Sequence, residues 1–153
     1  MNTLELKVPP VAVVLLAGAA MWLTEAALPS LTVTLPYRWV AALALAVAGG
    51  VVAVLGVVSF RQAQTTVNPL RPQGASSLVT TGIYRFSRNP MYLGMFLLLA
   101  GAAVYLANAA ALIPLALFVV YMNRFQIQPE ERALSAIFGS DFTAYTQRVR
   151  RWI

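Results

Sequence analysis

The uncharged stretch Met91–Asn123, MYLGMFLLLAGAAVYLANAAALIPLALFVVYMN, decides the fold. Its 33 residues contain no charged side chain. As one helix at about 1.5 Å per residue it would be about 50 Å long, well beyond a hydrocarbon core of about 30 Å. We therefore predict a helical hairpin that turns near Ala107-Asn108-Ala109. Each arm then has about 17 residues, at the short end of the spanning range.

Two further apolar segments precede this hairpin, at about Val11–Leu28 and Trp39–Phe60. The chain of 153 residues is 59% hydrophobic and only 10% charged, whereas a soluble domain carries about 25% charged residues. A surface with so few charges suits lipid better than water. The sequence predicts an all-α integral membrane protein with about four transmembrane helices. The last two form the hairpin, and amphipathic cytosolic helices follow at the C-terminus.

Arginines flank the apolar segments unevenly, and this asymmetry predicts the orientation. They cluster in the second connection and in the C-terminal part, whereas the first connection has only Arg38 and the hairpin turn has none. The positive-inside rule then places both termini in the cytoplasm, and we expect the protein in a bacterial inner membrane. Because the arginines border the spans, the net charge of +6 predicts contact with membrane lipids and no nucleic-acid partner.

The absence of two residue types restricts the chemistry, since the chain has no Cys and no His. Thiolate nucleophiles, disulfides, thiolate or imidazole metal sites and histidine acid–base catalysis are therefore excluded. No metal is expected, and any reaction must use carboxylates, hydroxyls, amides and arginines.

The chain is predicted to form one membrane domain. Pro69 and Pro72 predict a shaped loop between the second span and the hairpin. Near the C-terminus, Pro129 suits a first helical turn, and Gly139 is expected to break the helix that follows. The predicted parts are residues 1–60 with two spans, 61–90 as a cytosolic loop, 91–125 as the hairpin and 126–153 as the C-terminal helices.

Three polar clusters lie where apolar segments end, and each has a plain structural explanation. Arg88–Gly94 contains arginine and tyrosine interface anchors, an Asn-Pro helix start and a glycine for close helix packing. Glu130 and Glu131 suit the first turn of a surface helix. Glu25 stands near the outer edge of the first span. The functional alternatives are a small-molecule pocket for the first two clusters and an ionisable membrane site for Glu25.

Two stretches taken together resemble the isoprenylcysteine carboxyl methyltransferase family and the related membrane phospholipid methyltransferases. They are SSLVTTGIYRFSRNPMYLG, from Ser76 to Gly94, and PEERALSAIFGSDFTAYTQRVRRWI, from Pro129 to Ile153, on either side of the apolar hairpin. The resemblance covers roughly the C-terminal half of the chain. The residues that match the family pattern are Gly82, Tyr84, Arg88, Asn89, Pro90, Tyr92, Gly94, Glu130, Glu131, Leu134, Phe138, Gly139, Tyr145 and Val149.

The resemblance implies S-adenosyl-L-methionine as the cofactor, with S-adenosyl-L-homocysteine as its product. It also implies methyl transfer, at the cytosolic membrane face, to a lipophilic or amphiphilic small-molecule acceptor that is a carboxylate or an amine. No catalytic residue is predicted. The cofactor-binding residues that the resemblance implies are Ser76, Ser77, Leu78, Val79, Tyr84, Asn89, Pro90, Met91, Tyr92 and Glu130. Those expected to bind the acceptor are Arg124, Gln126 and Glu131.

Two positions depart from the family pattern. Asn89 stands where the family has His, so hydrogen bonding is retained but a titrating group is lost. Gln126 stands where members that methylate prenylcysteine carboxylates have Arg, and a neutral amide does not pair with a carboxylate as an arginine fork does. The acceptor class therefore stays open. If the acceptor is an amine, Glu131 or a water molecule would take its proton.

Two other classes of function remain open from the sequence. A proton-coupled four-helix transporter of small molecules would use Glu25 as its membrane carboxylate. An NADPH-dependent membrane reductase would use the Arg-x-Pro-x-Tyr region that starts at Arg88. Binding of S-adenosylhomocysteine or of NADPH distinguishes the three hypotheses.

Overall fold

The computed structural model describes residues 5–63 and 76–153, so Pro69 and Pro72 of the predicted loop lie outside the described residues. The described chain is helical apart from its turns and connections, which confirms the all-α class. The division of the chain at residues 60, 90 and 125 stays a prediction. The helices are α1 (Pro10–Ala27), α2 (Arg38–Gln62), α3 (Pro90–Leu106), α4 (Leu112–Tyr121) and α5 (Gln128–Arg148).

The lengths of these helices fit a bilayer. Three described helices are long and apolar enough to cross a membrane, namely α1, α2 and a continuous helical stretch from Ala109 to Arg148 whose apolar part is α4. The helix α3 is slightly shorter, with 17 apolar residues. Large apolar side chains such as Leu15, Val47 and Leu117 are exposed on the outside of the bundle, where lipid would cover them. The protein is thus an all-α integral membrane protein.

The hairpin turns where the sequence predicted. Ala107 adopts a left-handed conformation with φ of 51°, and the Asn108 side chain then organises the turn. Its amide nitrogen donates to the Leu28 carbonyl at 2.8 Å and to Thr32 Oγ1 at 3.0 Å, while its oxygen accepts from the Ala110 N–H at 2.9 Å. One buried amide therefore joins the hairpin turn to the end of α1.

The tightest helix contact is between α2 and α3, and two glycines make it possible. A β-carbon built on Gly94 would lie 2.5 Å from the Gly49 carbonyl oxygen, and one on Gly49 would lie 2.6 Å from the Gly94 carbonyl oxygen. Any larger residue at either position would push the backbones apart. Small residues that allow such close approach are a common source of helix association in membranes. Gly49 of α2 thus packs against α3 within the chain.

The helix α1 packs against both arms of the hairpin. Met21 of α1, Leu99 of α3 and Phe118 of α4 are buried in one core. In lipid, such a core stabilises the bundle through van der Waals packing, because lipid tails are as apolar as the side chains themselves. The packed bundle has a turn end, which contains Asn108, and a polar end, which contains Glu5, Arg88 and Glu130.

The fourth span continues into the C-terminal helix without a gap. A π-helical segment, Met122–Ile127, joins α4 directly to α5, whereas the sequence predicted a separate helix near Pro129. The predicted break at Gly139 is confirmed, because Gly139 adopts φ of 50° and ψ of −117° and kinks α5 there. That conformation is accessible essentially to glycine alone.

Candidate cofactor and acceptor site

The polar end brings together the start of α3 and the start of α5. The Tyr92 hydroxyl donates a hydrogen bond to the Glu130 carboxylate, although the two residues are 38 positions apart in the chain. Pro90 starts α3 at its first position, where its missing N–H removes no helical hydrogen bond. Tyr92 therefore lies within the first turn of α3, facing α5.

Adjacent to this pair, Glu131 joins two arginines. Its Oε1 lies 2.8 Å from an Arg88 guanidinium nitrogen, and its Oε2 lies 2.6 Å from an Arg151 guanidinium nitrogen. Arg88 also donates to the Thr146 carbonyl at 3.2 Å. The side chains of Arg88 and Glu131 are only 13% and 21% exposed, so this ion pair is largely shielded from water and from screening by salt.

Asn89 connects the same region to the C-terminal tail. Its side-chain amide donates to the Arg151 carbonyl at 2.9 Å, and its backbone N–H donates to Ser87 Oγ at 3.1 Å. The Arg88 N–H donates to the Arg150 carbonyl at 3.1 Å. The tail is therefore held across the start of α3, where the sequence predicted a cofactor site.

Two tyrosines support the loop before α3. The Tyr145 hydroxyl donates to the Tyr84 carbonyl at 2.8 Å, and the Tyr84 ring packs edge-on against Phe60 at 5.3 Å between ring centroids. Gly82 precedes them with φ of 59°, and a β-carbon there would lie 2.9 Å from Ser59 Oγ. The matched residues of the loop and of α5 thus contact each other and the end of α2.

Two of the other predicted cofactor residues, Ser77 and Met91, contact the α2 region. Ser77 Oγ donates to the Ala63 carbonyl at 3.1 Å, at the end of α2. Val79 is buried, Leu78 is half-buried and Ser76 is exposed. Met91 packs beside Gly56 of α2, with 2.8 Å between its Cγ and a β-carbon built on that glycine.

The three residues predicted to bind the acceptor already have protein partners. Arg124 forms a salt bridge with Glu5 at 2.8 Å. The Gln126 side chain is fully buried, and its amide nitrogen donates to the Val8 carbonyl at 2.6 Å. Glu131 holds the two arginines described above. Their roles in binding an acceptor stay predictions.

Sequence reasoning did not single out Glu5 and Arg151 as parts of this region. Glu5 contacts residues more than 115 positions away, and Arg151 contacts Glu131 from 20 positions away. Glu5 belongs to no motif and looks like one of several charges that flank a span, whereas Arg151 lies in the second family-like stretch but is not one of its matched positions. For Arg151 the Val-x-Arg ending of that stretch was an available signal, whereas no local signal could have identified Glu5.

The Glu130 carboxyl has an unusual environment. Burial raises its pKa to about 8, the Tyr92 hydrogen bond opposes that rise, and the neighbouring Glu131 adds to it. Burial also raises the pKa of the Tyr84 hydroxyl well above its ordinary range and that of Tyr145 to about 12. Shifted carboxyls of this kind are frequent in functional sites. Glu130 is therefore the carboxyl at the polar end whose pKa is raised toward neutral pH.

The family model described as phospholipid methyltransferase matches residues 37–141, which is more than half of the chain. The chain therefore belongs to the phospholipid methyltransferase family. It is a membrane protein of the methyltransferase class, as the sequence motifs indicated.

Individual relatives agree with this assignment. The chain is 28% identical to protein-S-isoprenylcysteine O-methyltransferase B of Arabidopsis thaliana over 107 residues, which cover 70% of this chain and 54% of the relative. It is 36% identical to the human protein-S-isoprenylcysteine O-methyltransferase over 73 residues, 48% of this chain and 26% of that protein. An uncharacterized protein of Haemophilus influenzae is 38% identical over 63 residues, its entire length and 41% of this chain. No solved structure gives a significant match.

The matches cover only part of each methyltransferase relative. The chain spans about half the length of the plant methyltransferase and about a quarter of the human one. The cofactor, the acceptor and the details of the reaction are consequently proposals for this chain.

Proposed function

We propose that the protein transfers a methyl group from S-adenosyl-L-methionine to a lipophilic or amphiphilic acceptor at the cytosolic face of a bacterial inner membrane. The observation that carries the proposal is the contact of Tyr92 with Glu130, which joins the two family motifs at one end of the bundle. The arginine distribution supports cytoplasmic termini, since the polar end holds the N-terminal segment, Arg88 and Arg124.

The groups at the polar end suit this cofactor chemically. S-adenosylmethionine carries a carboxylate, an ammonium, ribose hydroxyls and a cationic sulfonium. Glu130 offers a half-buried carboxylate for the hydroxyls or for positive charge. The Nε of Arg88 is buried and has no hydrogen-bond partner among the described residues, so it is a donor suited to a carboxylate. Ser76, Ser77, Leu78, Val79, Tyr84, Asn89, Pro90 and Met91 complete the proposed cofactor site.

The protein has little chemistry to supply beyond alignment. Bound S-adenosylmethionine provides an already activated methyl group, so a site without His and Cys suffices. The residues of the polar end would hold the cofactor, orient the acceptor and exclude water. Holding the two reactants in line removes a large part of the barrier to such a displacement. Arg124, Gln126 and Glu131 stay the proposed acceptor-binding residues. The acceptor is proposed to enter from the bilayer between the apolar helices.

Isothermal titration of the detergent-solubilised protein with S-adenosylhomocysteine tests the proposal. We expect saturable binding, and none with NADPH, the ligand of the reductase alternative. Glu130→Gln and Asn89→Ala are each expected to weaken binding about tenfold or more, since a hydrogen bond to a charged group contributes about 1.5–3 kcal/mol.

The matched control is Glu25→Gln, which removes one carboxylate from the last turns of α1, at the turn end of the bundle. It should bind S-adenosylhomocysteine as the wild type does. Equal affinity in the wild type, Glu130→Gln and Asn89→Ala would refute the site. Binding of a lipophilic cation that depends on pH and is abolished in Glu25→Gln would instead favour the transporter alternative.

A further inference from the structure

One backbone carbonyl of the π-helical segment lacks its helical donor and accepts a hydrogen bond from an N–H near the N-terminus instead. In an α-helix the Phe125 carbonyl would accept from the N–H of residue 129, but residue 129 is a proline and has none. The Leu6 N–H donates to that carbonyl instead, at 3.0 Å. Leu6 adopts a left-handed conformation with φ of 56° to make this contact, and that conformation is unfavourable for a leucine.

Residues near both termini contact the π-helical segment Met122–Ile127. Four consecutive residues of the π-helix contact residues from the termini. Trp152 Nε1 donates to Asn123 Oδ1 at 3.1 Å, Glu5 pairs with Arg124 at 2.8 Å, Leu6 bonds the Phe125 carbonyl at 3.0 Å and the Val8 carbonyl accepts from Gln126 at 2.6 Å. The N-terminal segment Glu5–Val8 supplies three of these four contacts.

Within that segment, Glu5 connects the π-helix to the start of α5. One carboxylate oxygen lies 2.8 Å from Arg124, inside the π-helix, and the other lies 2.6 Å from Arg132, in the first turns of α5. The Glu5 side chain is only 5% exposed. The Arg124 hydrogen bond, with Coulombic attraction to both arginines, holds the pKa of the Glu5 carboxyl below its usual range. Glu5 is therefore ionised at neutral pH. Its two arginine partners lie before and after Pro129 in the sequence.

The register of α5 depends on this segment. A π-turn is in effect one residue inserted into an α-helix, and such turns recur at functional sites. If it relaxed to α-helix, α5 would rotate by about 100° relative to α4, since an α-helix has 3.6 residues per turn. A rotation of that size would carry Glu130 away from Tyr92 and Glu131 away from Arg88.

We propose that Glu5 is a positioning residue for the methyltransferase site, because it holds the π-helical turn that aims Glu130 at Tyr92. Glu5 contacts neither Tyr92 nor Glu130 and acts through Arg124 and Arg132. Its functional meaning rests on the proposed function, whereas its effect on Glu130 does not.

The experiment follows the titration of Glu130 by carbon NMR of protein labelled at glutamate side-chain carboxyls, with the Glu130 signal assigned by its loss in Glu130→Gln. In Glu5→Gln, which keeps the side-chain shape but removes the charge, we expect the Glu130 pKa to fall by about one unit or more toward its value in water. S-adenosylhomocysteine binding should weaken about tenfold, a typical size for coupling between residues out of contact. Arg132→Gln, at an exposed arginine, should cause the same changes to a smaller extent.

The control is Asp141→Asn, which removes an exposed carboxylate from α5 and should change neither quantity. An unaltered Glu130 titration in folded Glu5→Gln would overturn the proposal, as would an equal shift in Asp141→Asn. If Glu5→Gln does not fold, Arg132→Gln decides by the same criteria. If the wild type binds no S-adenosylhomocysteine, the proposed function fails, while the Glu130 titration still judges the positioning role.

Discussion

At the scale of single residues, two neighbouring carboxylates have opposite surroundings. Glu131 lies between Arg88 and Arg151, which neutralise it on both oxygens. Glu130 accepts a hydrogen bond from a tyrosine hydroxyl and has no arginine partner in the described structure, and burial raises its pKa to about 8. Adjacent positions on a helix point in directions about 100° apart, so the two side chains enter different environments. Glu131 thus holds the tail in place, and Glu130 is the carboxyl that a cationic ligand would ionise.

This difference predicts how binding depends on pH. The pKa of Glu130 is about 8, so at a pH below that value its carboxyl is mostly protonated. A cationic ligand must then displace the proton. Affinity for S-adenosylmethionine should therefore rise between pH 6 and 8, by up to about tenfold per unit, and level off above. S-adenosylhomocysteine lacks the sulfonium but shares the amino group, and its affinity should rise less. Titration calorimetry at four pH values measures both ligands.

The matched variant for this prediction is Glu130→Gln, in which no proton is displaced. The profiles of the two ligands should become parallel in that variant. Parallel profiles already in the wild type would show that Glu130 does not sense the sulfonium.

At the scale of helices, the α2–α3 contact depends on missing side chains. Gly49 and Gly94 bring the two backbones together, and the start of α3 carries Pro90 and Tyr92 into the site. A β-carbon built on Gly50, next to Gly49, would meet no atom within 4 Å from any described residue outside its own stretch of helix. Adjacent glycines of one helix thus differ fully in what a methyl group would meet.

We predict that Gly94→Ala lowers the thermal stability of the protein, whereas Gly50→Ala does not. The methyl group on residue 94 would meet the Gly49 carbonyl oxygen, and such overpacking costs about 1–3 kcal/mol. On residue 50 it meets open space, and alanine favours the helix over glycine by about 1 kcal/mol. The apparent melting temperature in detergent measures both variants. Equal melting temperatures would contradict the close α2–α3 contact.

At the scale of the whole molecule, the bundle has two separate sets of polar contacts, one at each end. The turn end is held by Asn108, which is only 3% exposed and bonds Leu28, Thr32 and Ala110. The polar end is held by Glu5, Glu131 and the tail. The two sets of contacts are therefore separated by the length of the membrane spans.

Asn108→Ala is therefore predicted to lower the melting temperature and to leave affinity for S-adenosylhomocysteine within about twofold of the wild type. The buried groups that lose their partner cost about 1–3 kcal/mol. Glu130→Gln should show the reverse pattern, with weaker binding and a nearly unchanged melting temperature. A parallel loss of affinity in Asn108→Ala, measured well below its melting temperature, would mean that the two ends are coupled.

Much of the fold could be predicted because its causes are local. An uncharged stretch too long for one span must turn, and the turn came at Ala107 and Asn108. Gly139 broke its helix because few other residues reach that conformation. The continuity of α4 with α5 could not be predicted, because the proline at 129 signals a helix start. The N–H that compensates for it comes from Leu6, at the far end of the chain.

The sequence by itself determined the membrane fold, the hairpin and the family, since hydrophobic length, glycine and proline act on their own neighbourhood and the two motifs can be read directly. The tertiary structure alone decided which charges meet. It paired Glu130 with Tyr92, gave Glu131 to Arg88 and Arg151, and set Glu5 against Arg124 and Arg132. The physical reason is that hydrogen bonds and ion pairs depend on distances of a few ångströms between residues that are far apart in the chain, and only helix packing sets those distances.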